Sequence, residues 1–352
     1  MRRTVTRRQT LRAVHKWLAL ALGLHWLLLA VTGCILAFHR ELESEWIGVG
    51  SAIEGVPDVE AAIATAEARN GIPARFVVIE DRPVHALRVI SGERIDTVDA
   101  ASGELLSTSG LNGGVSPTGV IRFVYVLHFQ LASGHTGEWL VGVSGAFLLV
   151  TVTIGLFIGW PAKGGWLRAI KPRLAGKAWQ QHYVVHRATG LLVGIGLVSA
   201  SFSGMGMIWG EAFVDHAKPS RGPESTILGY EPSANEAIEI ARTALADSEF
   251  VRIDLPTKDR NSFVVRLREK GEFRPTFGRS KVEVAATDGE VLKIESAMTA
   301  SGSQKAVDAM LPIHNGTWLG VGGRLLVLMQ GMALIYLIFS GTFVWLRKRK
   351  RR

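Results

Sequence analysis

Apolar residues are concentrated in four long runs, and the segments between these runs alternate in patterns typical of helices and strands. Each run is long enough to cross the hydrocarbon core of a bilayer, which takes about 20 helical residues. The pattern therefore predicts membrane-spanning helices over 16–38, 139–161, 187–210 and 323–346.

The two long segments between the predicted spans each begin with a helix and continue with strands. Pro57 and Asp58 precede the helical pattern VEAAIATAEARNG in the first segment, and SANEAIEIARTALAD is the corresponding pattern in the second. A glycine-containing turn follows the strands in each segment, at 102–103 and at 288–289. The alternation predicts strands at 74–80, 84–90 and 94–99 in the first segment and at 249–254, 262–268 and 280–286 in the second.

Composition and charge fix the class of protein and the direction of the spans. With 47% hydrophobic residues, the chain of 352 residues is typical of a protein that is part membrane and part aqueous domain. Its net charge of +9 is concentrated before the first span, between the second and third, and after the fourth. By the positive-inside rule these three segments are cytoplasmic. A nucleic-acid-binding tail is the alternative, which the position of the charges beside the spans disfavours.

This orientation gives a complete domain organisation. The prediction is a cytoplasmic basic N-terminus (1–15), the first span (16–38), a first extracytoplasmic module with an interfacial helix (39–138), the second span (139–161), a cytoplasmic basic link (162–186), the third span (187–210), a second extracytoplasmic module (211–322), the fourth span (323–346) and a cytoplasmic basic tail (347–352).

Four histidines stand at repeated distances from glycines that follow a small or apolar residue. Two histidines precede a glycine by 18 residues and two by 27. The pairs are His15 with Gly33, His186 with Gly204, His128 with Gly155 and His314 with Gly341. We interpret the agreement as an internal duplication in which His15 corresponds to His186 and His128 to His314. The strings VDAASGELL and VAATDGEVL also occupy corresponding places in the two halves.

Paired imidazoles at the edges of membrane spans suggest haem. A haem iron that is held on both faces needs two imidazoles, and imidazole is a strong neutral ligand for iron. We therefore predict a first site from His15 and His186 at the cytoplasmic edge. A second site, from His128 and His314, is predicted at the outer edge.

The second site requires breaks in the helices. A stretch of 27 helical residues covers about 40 Å, which exceeds a hydrocarbon core of about 30 Å. The strings SGHTG at 133–137 and NGTWLGVGG at 315–323 are the predicted breaks. Ser116-Pro117 is typical of the start of a short helix that carries His128, and 303–311 is its predicted counterpart before Pro312.

The other histidines have weaker patterns. His25 and His39 are 14 residues apart on one predicted helix, about 21 Å of helical rise, and are reserve ligands. His182, which precedes His186 by four residues, is a third reserve ligand. For every histidine, a hydrogen-bonded residue at the membrane boundary is the alternative. We expect surface or ordinary domain positions for His135, His85 and His216.

Further residues fit cofactor binding, but each has an alternative. Arginine forks match the carboxylates of haem propionates, although the positive-inside rule also explains basic residues at the inner edge. Glycines within the spans allow close approach of a porphyrin or of another helix. Met205 and Met207 are either thioether ligands or packing residues, and packing is favoured. The candidate propionate partners are Arg12, Lys16 and Arg187 at the first site and Arg122 and Arg324 at the second.

The chain resembles the PepSY-associated transmembrane family. The resemblance rests on VHKWLALALGLHWLLLAVTGCILAFHRELE, LHFQLASGHTGEWLVG, HRATGLLVGIGLVSASFSG and IHNGTWLGVGGRLLVLMQG, together with two PepSY-like modules, and it covers nearly the whole chain. It implies a membrane bundle of four transmembrane helices with two extracytoplasmic α+β modules. Within the family, the chain is most similar to ferric-siderophore reductases of the bacterial inner membrane. That similarity implies two haem b groups, a ferric siderophore or similar ferric chelate as substrate, and release of Fe(II).

No competing catalytic motif is present in the sequence. It contains no phosphate-binding loop, dinucleotide fingerprint, His-Glu-x-x-His or Gly-x-Ser-x-Gly pattern, so we expect electrons to arrive from a separate donor. A non-enzymatic membrane sensor or peptidase-regulatory protein without a cofactor is the alternative. Transport is a third hypothesis, which the scarcity of carboxylates within the spans disfavours.

Overall fold

A computed structural model describes residues 6–47, 57–80, 86–171, 173–214, 230–273 and 278–349. The chain divides into two compact units, and each unit combines segments that are distant in sequence. We call them the helical unit (Met1–Ala37, Leu127–Ala212 and Ile313–Arg352) and the sheet unit (Phe38–Val126 and Phe213–Pro312).

The described residues form helices and strands with the following bounds. The helices are α1 (Arg7–Leu36), α2 (His39–Ile47), α3 (Val59–Asn70), α4 (Pro117–Gln130), α5 (Gly134–Gly159), α6 (Trp166–Ile170), α7 (Ala178–Trp209), α8 (Ala234–Ala244), α9 (Gly302–Asp308), α10 (Met310–Asn315) and α11 (Gly320–Arg349). The strands are β1 (Phe76–Glu80), β2 (Ala86–Ser91), β3 (Arg94–Asp99), β4 (Leu105–Gly110), β5 (Ser248–Asp254), β6 (Ser262–Glu269), β7 (Ser280–Ala285) and β8 (Val291–Glu295).

Four helices in the described part of the helical unit are long and apolar enough to cross a membrane. They are Arg7–Leu36, Gly134–Gly159, Ala178–Phe213 and Thr317–Arg349. Helices α1 and α7 each pack against both α5 and α11, so the four helices form a bundle.

Each of these helices begins before the predicted span, because polar residues continue the helix beyond its apolar run. Two starts use the same cap: the Thr6 amide donates to the side chain of Gln9, and the Lys177 amide donates to that of Gln180. His15 and His186 therefore lie two turns inside α1 and α7, rather than at the helix starts that the sequence predicted.

The short helices before α5 and α11 differ from one another. His128 lies on α4, which begins at Pro117 as predicted. The counterpart predicted over 303–311 is wrong as a single helix, because α9 ends at Asp308 and His314 lies on the separate α10. Pro312 lies inside α10 rather than after the predicted helix. Its ring is tolerated there because the first-turn amides of a helix have no intrahelical partner.

Tight turns separate the short helices from α5 and α11, at the predicted breaks. Leu131 and Ala132 adopt left-handed φ values of 50° and 53°, and Gly316 has a φ of 77°. Gly137 lies against the carbonyl of Gln130, and Gly323 lies against that of Gly316, too close for a Cβ at either position. Only glycine allows the chain to fold back so closely.

The sheet unit contains one antiparallel sheet with the strand order β4-β3-β2-β1-β5-β6-β7-β8. The predicted strands are present, but the two predicted modules do not have separate sheets. They meet where β1 pairs with β5, with Phe76 opposite Asp254 and Val78 opposite Arg252. The pairing removes two exposed strand edges, which are otherwise templates for aggregation.

Helices α3 and α8 pack beside each other over a shared core and cap each other. Asn235 of α8 donates to Asp58 at 2.8 Å and accepts from the Val59 amide at 3.0 Å, at the start of α3. The two halves of the unit therefore have one continuous core, with fully buried residues from both, such as Val59, Ala66, Val77, Leu87, Val89, Ala237, Ile238, Ile253, Val265 and Leu267.

Candidate functional site

The structure brings together the two histidines of each predicted pair, and both pairs lie in the helical unit. The ring centroids of His15 and His186, the first pair, are 6.4 Å apart with an angle of 87° between the ring planes. Those of His128 and His314, the second pair, are 6.2 Å apart with an angle of 54°. Members of a pair come from segments more than 150 residues apart in the chain.

Both separations match two imidazoles on opposite sides of one metal ion. A bond from a metal to an imidazole nitrogen is about 2.0 Å long, and the ring centroid lies about 1.1 Å behind that nitrogen. Two such rings in line with the metal have centroids about 6.2 Å apart. Two imidazoles would supply only part of the ligand set of an iron ion, so a group such as a porphyrin would have to supply the rest.

The Nδ1 atom of each histidine is hydrogen-bonded to a neighbouring helix, which leaves Nε2 for a ligand. His15 Nδ1 donates to the Thr151 carbonyl at 2.8 Å, and His314 Nδ1 donates to the Ala200 carbonyl at 3.0 Å. His186 Nδ1 is 2.9 Å from Ser340 Oγ. Such bonds fix the orientation and the tautomer of metal-binding histidines.

Hydroxyl groups beside three of the histidines act as acceptors. Thr32 Oγ1 lies 2.9 Å from His128 Nδ1 and itself donates to the Leu28 carbonyl at 2.8 Å. Ser340 donates to the Leu337 carbonyl at 3.2 Å, and Ser203 donates to that of Ser199 at 2.8 Å. Because each hydroxyl proton is used by its own helix, Thr32 and Ser340 accept the proton of Nδ1. The proton of His314 Nδ1 is shared between the Ala200 carbonyl at 3.0 Å and Ser203 Oγ at 3.3 Å. Nε2 then carries the lone pair that a metal requires.

Each histidine ring lies against a glycine of an adjacent helix. A Cβ on these glycines would lie 3.0 to 3.3 Å from the Cε1 atom of the imidazole, tighter than nearly all real Cβ contacts. The ring therefore needs a position without a side chain. The four contacts are Gly155 with His15, Gly341 with His186, Gly33 with His128 and Gly204 with His314.

These contacts explain the repeated spacings in the sequence. His15 and Gly33 both lie on α1, and the 18 residues between them correspond to about 27 Å of helical rise. Gly33 contacts a histidine of the second pair, so α1 takes part in both sites. Helix α7 does the same through His186 and Gly204. The two sites therefore lie toward opposite ends of the same two helices, separated by nearly the thickness of a hydrocarbon core of about 30 Å.

Burial keeps the second pair neutral. It lowers the pKa of His128 to about 4, and the charge of His314 contributes to the same shift. Burial also lowers the pKa of His314. Uncharged imidazole is the form that binds iron, so both side chains are in the ligand form at neutral pH.

The reserve histidines lie elsewhere. His25 Nε2 is 2.7 Å from Ser144 Oγ, which donates to the Val141 carbonyl, so this imidazole nitrogen is already a hydrogen-bond donor. The prediction that His39 lies on the same helix as His25 is wrong, because α1 ends at Leu36 and His39 begins α2 in the sheet unit. His182 packs against aromatic rings of α11. His135 is exposed, and His85 and His216 lie outside the described residues.

The arginine candidates already make contacts with backbone carbonyls. Arg187 Nε donates to Gly159 at 2.8 Å, and Arg324 Nε donates to Ala37 at 2.8 Å. Arg122 lies in the sheet unit, where Nε donates to Leu111 at 2.7 Å. Arg12 is exposed on α1. The terminal nitrogens of Arg187 and Arg324 are the parts of these two guanidinium groups that a propionate would engage.

Most of the other glycines in the spans serve helix packing. Gly194 lies against Leu156, and Gly331 lies against Cys34. Met205 packs on Gly145 with its Cγ 3.2 Å from the Cβ position, in agreement with the packing interpretation.

The sequence interpretation did not assign roles to the hydroxyl residues. The signal is nonetheless present, since Thr32, Ser203 and Ser340 each stand directly before the glycine that faces a histidine. Ile154 occupies this position before Gly155, and there the acceptor is the Thr151 carbonyl.

The fold and the histidine pairs define an integral membrane protein with four candidate spanning helices and an α+β sheet region. The chain belongs to the PepSY-associated transmembrane family, whose sequence profile, described as the PepSY-associated TM region, matches residues 12–348. No curated protein sequence matches the chain.

Proposed function

We propose that the protein is a haem-binding membrane reductase that carries electrons between two imidazole-bound haem b groups and reduces a ferric chelate. The observation that supports this proposal best is the presence of two imidazole pairs, each spaced for one metal ion, toward opposite ends of the same helices. Such an arrangement suits transfer of electrons across the membrane.

The residues present fit haem. Each pair offers two imidazoles with Nε2 available, and each ring is oriented by an Nδ1 hydrogen bond. Haem iron with two axial imidazoles supplies one-electron redox chemistry without a change of ligands. The role of the chain is to set the basicity of the ligands through the Nδ1 acceptors and to exclude water by burial.

A ferric siderophore or similar ferric chelate is the proposed substrate. Hard oxygen donors bind Fe(III) more tightly than Fe(II), so addition of one electron weakens the hold of the chelator and releases Fe(II). His128 and His314 each lie one residue past the point where the chain enters the helical unit from the sheet unit. This position favours the second pair as the site that delivers electrons to a substrate outside the bilayer.

The proposed orientation follows from charge. Basic residues beside the spans favour a cytoplasmic position for both termini and the 162–186 link, in a bacterial-type inner membrane. The first pair would then accept electrons on the cytoplasmic side. We also infer that the chain contains two copies of one unit, because the matched histidine, glycine and hydroxyl positions of the halves support it.

An absorption spectrum of the purified protein tests the proposal. Protein in detergent should show b-type bands that sharpen with dithionite and correspond to two haems per chain. The protein is then freed of dithionite while it is still reduced, and a ferric hydroxamate is added. The oxidised spectrum should return, and ferrozine should trap the Fe(II) that is released. A colourless protein would contradict the proposal and leave the sensor alternative. Reduced haem that a ferric chelate does not reoxidise would contradict the reductase assignment.

A further inference from the structure

An aromatic cluster lies where the first turns of α7 meet the last turns of α11. The ring centroid of His182 is 4.9 Å from that of Phe343, with the planes at 63°. It is 6.4 Å from the ring of Tyr336, with the planes at 33°. We call His182, Tyr336 and Phe343 the aromatic site. The proposed function gives this site no role.

The aromatic site lies beside a hydrogen-bond partner of the first histidine pair. Ser340 follows Tyr336 by one helical turn on α11. Ser340 Oγ accepts from His186 Nδ1 at 2.9 Å. His182 precedes His186 by one helical turn, so the two lie on the same face of α7. A molecule bound at the aromatic site would therefore be close to a ligand of the first site.

The aromatic site has an exposed apolar margin. Tyr183 is 45% exposed and Phe339 is 59% exposed, and both lie on helices that are apolar enough to cross a membrane. In a bilayer, side chains exposed at these positions face lipid, so an apolar molecule can reach the site laterally.

Lysine and arginine side chains lie beside this margin, at the end of the span. Lys348 lies over the ring of Tyr183 at 5.2 Å, and the Arg347 guanidinium lies over Phe343 at 5.3 Å. Lysine and arginine that follow a span lie at the level of the lipid headgroups. The aromatic site is therefore about one or two helical turns below the surface of the membrane.

We propose that the aromatic site binds a membrane quinol and that this quinol is the electron donor, an inference that rests on the proposed function. A quinol has a flat ring that stacks on aromatic side chains, two hydroxyl groups and an apolar tail. A ring nitrogen of the His182 imidazole can accept a hydrogen bond, which suits a quinol hydroxyl. The tail lies along the exposed apolar margin at Phe339, which a water-soluble nucleotide would not use.

The chemistry balances with a ferric chelate as the final acceptor. One quinol loses two electrons and breaks two O–H bonds to give one quinone and two protons. His182 accepts the first proton as the hydroxyl group is oxidised, and passes it to water at the adjacent membrane surface. The second proton leaves by the same route after the second electron. Two Fe(III) chelates are reduced to Fe(II) for each quinol, one electron at a time.

Decyl-ubiquinol is the probe for the first test. Oxidised protein with its full haem content is mixed anaerobically with decyl-ubiquinol, and the reduced α-band is followed with time. We expect the wild type to be reduced, and His182→Phe to be reduced at least ~10-fold more slowly, because the proton acceptor is lost. Tyr336→Phe removes only the hydroxyl group and should also slow the reduction. His135→Ala, which changes an exposed histidine on another helix, should react at the wild-type rate.

A second readout does not depend on turnover. An azido-quinone that is photoactivated on the full protein should label peptides of 178–190 or 333–346, and excess decyl-ubiquinone should prevent the labelling. If His182→Phe loses haem, Tyr336→Phe and the labelling pattern still test the site.

The outcomes separate this inference from the proposed function. Protein that dithionite reduces and a ferric chelate reoxidises, but that decyl-ubiquinol does not reduce, contradicts the quinol site alone. Equal rates for the wild type, His182→Phe and Tyr336→Phe also contradict it, as does faster reduction by dihydroflavin mononucleotide than by quinol. Protein without haem contradicts the proposed function instead.

Discussion

The imidazole of His15 lies directly against Gly155, with its Cε1 atom 3.0 Å from the position that a Cβ on this glycine would occupy. The ring sits where α5 has no side chain and reaches the Thr151 carbonyl one turn earlier. The glycine therefore positions the imidazole of His15, in addition to allowing the helices to approach.

Gly155→Val should remove the first haem and leave the second. The valine side chain would overlap the ring of His15 and move it from the axis that it shares with His186. We expect the haem content of purified protein to fall from two to one per chain, as measured by the pyridine haemochrome. Gly190→Val is the matched control, because its nearest neighbour is the side chain of Leu337 at 3.9 Å from the Cβ position. Equal haem contents in the two variants would refute the positioning role.

His128→Ala and His314→Ala should each remove the second haem alone. An iron that loses one of two axial imidazoles is held more weakly, and the cavity left behind admits water. The expected ratio is one haem per chain in each variant, with the spectrum of the first site retained. His25→Ala is the control, since the His25 Nε2 atom is already hydrogen-bonded to Ser144 Oγ at 2.7 Å. Two haems in either ligand variant would rule out this pair.

Thr32→Val should weaken the second site without abolishing it. The substitution keeps the shape of the side chain but removes the oxygen that accepts from His128 Nδ1. Loss of an acceptor beside a metal-binding histidine typically costs 10- to 100-fold in metal affinity, so we expect a loss of at least ~10-fold. The imidazole also becomes a weaker electron donor, so the midpoint potential of this haem should rise.

A second threonine provides the control for that substitution. Thr153 donates to the Leu149 carbonyl at 2.7 Å within α5, in the same manner as Thr32, but it has no histidine partner. Thr153→Val should therefore leave both potentials unchanged. A haem titration and a redox titration measure the two effects, and identical shifts in both variants would assign them to general helix damage.

The two sites should differ in their ferric EPR spectra. The ring planes are nearly perpendicular in the first pair, at 87°, and tilted by 54° in the second. Perpendicular axial imidazoles bring the iron d orbitals closer in energy and produce the more anisotropic low-spin signal. We expect that signal to disappear in Gly155→Val and to persist in His128→Ala. The opposite assignment would show that haem binding reorients the rings.

Glu272→Gln should stabilise the protein at alkaline pH. Burial raises the pKa of Glu272 to about 7, with smaller contributions from Glu269 and Asp308. This folded-state pKa lies above the ordinary value of 4.5, so the folded protein favours the protonated carboxyl. The corresponding contribution to the free energy of unfolding is fully present below pH 4.5 and is lost as the pH rises through about 7.

Glutamine avoids that loss. After allowance for partial exposure, we expect a gain of roughly 1 kcal/mol at pH 8 and none at pH 4. Thermal unfolding of the full chain at the two pH values measures the difference. Glu290→Gln, at an exposed position beside the turn before β8, is the control. A gain at both pH values would point to a cause other than ionisation.

Local patterns in the sequence predicted most elements of the fold. Apolar runs gave the four long helices, and Asp58 and Gly71 marked the ends of α3, because a helix cap depends on only a few neighbouring residues. The pairing of β1 with β5 was not predictable. An alternating pattern shows which residues face the core, but it does not show which strand edge meets another.

The histidine pairs were predictable, although the contacts around them were not. The spacing of His15 from Gly33 indicated related positions, yet Gly33 faces His128 rather than His15. Two residues at this distance on one helix lie toward opposite ends of the bundle. Which side chains each of them contacts depends on how the neighbouring helices pack. The hydrogen-bond partner of His25 was not predictable for the same reason, because Ser144 lies on a different helix.

The joint between β1 and β5 has a consequence for biogenesis. Glu80 ends β1 and Ser248 begins β5, and the chain between them includes the whole of α5 and α7. Strands β1 to β4 are synthesised early, and the open edge of β1 then has no partner until two further candidate spans have been inserted. A nascent chain that stalls after α7 would therefore expose the unpaired edge of β1, which can pair with other chains and aggregate. Maturation then depends on rapid translation or on a chaperone that covers this edge.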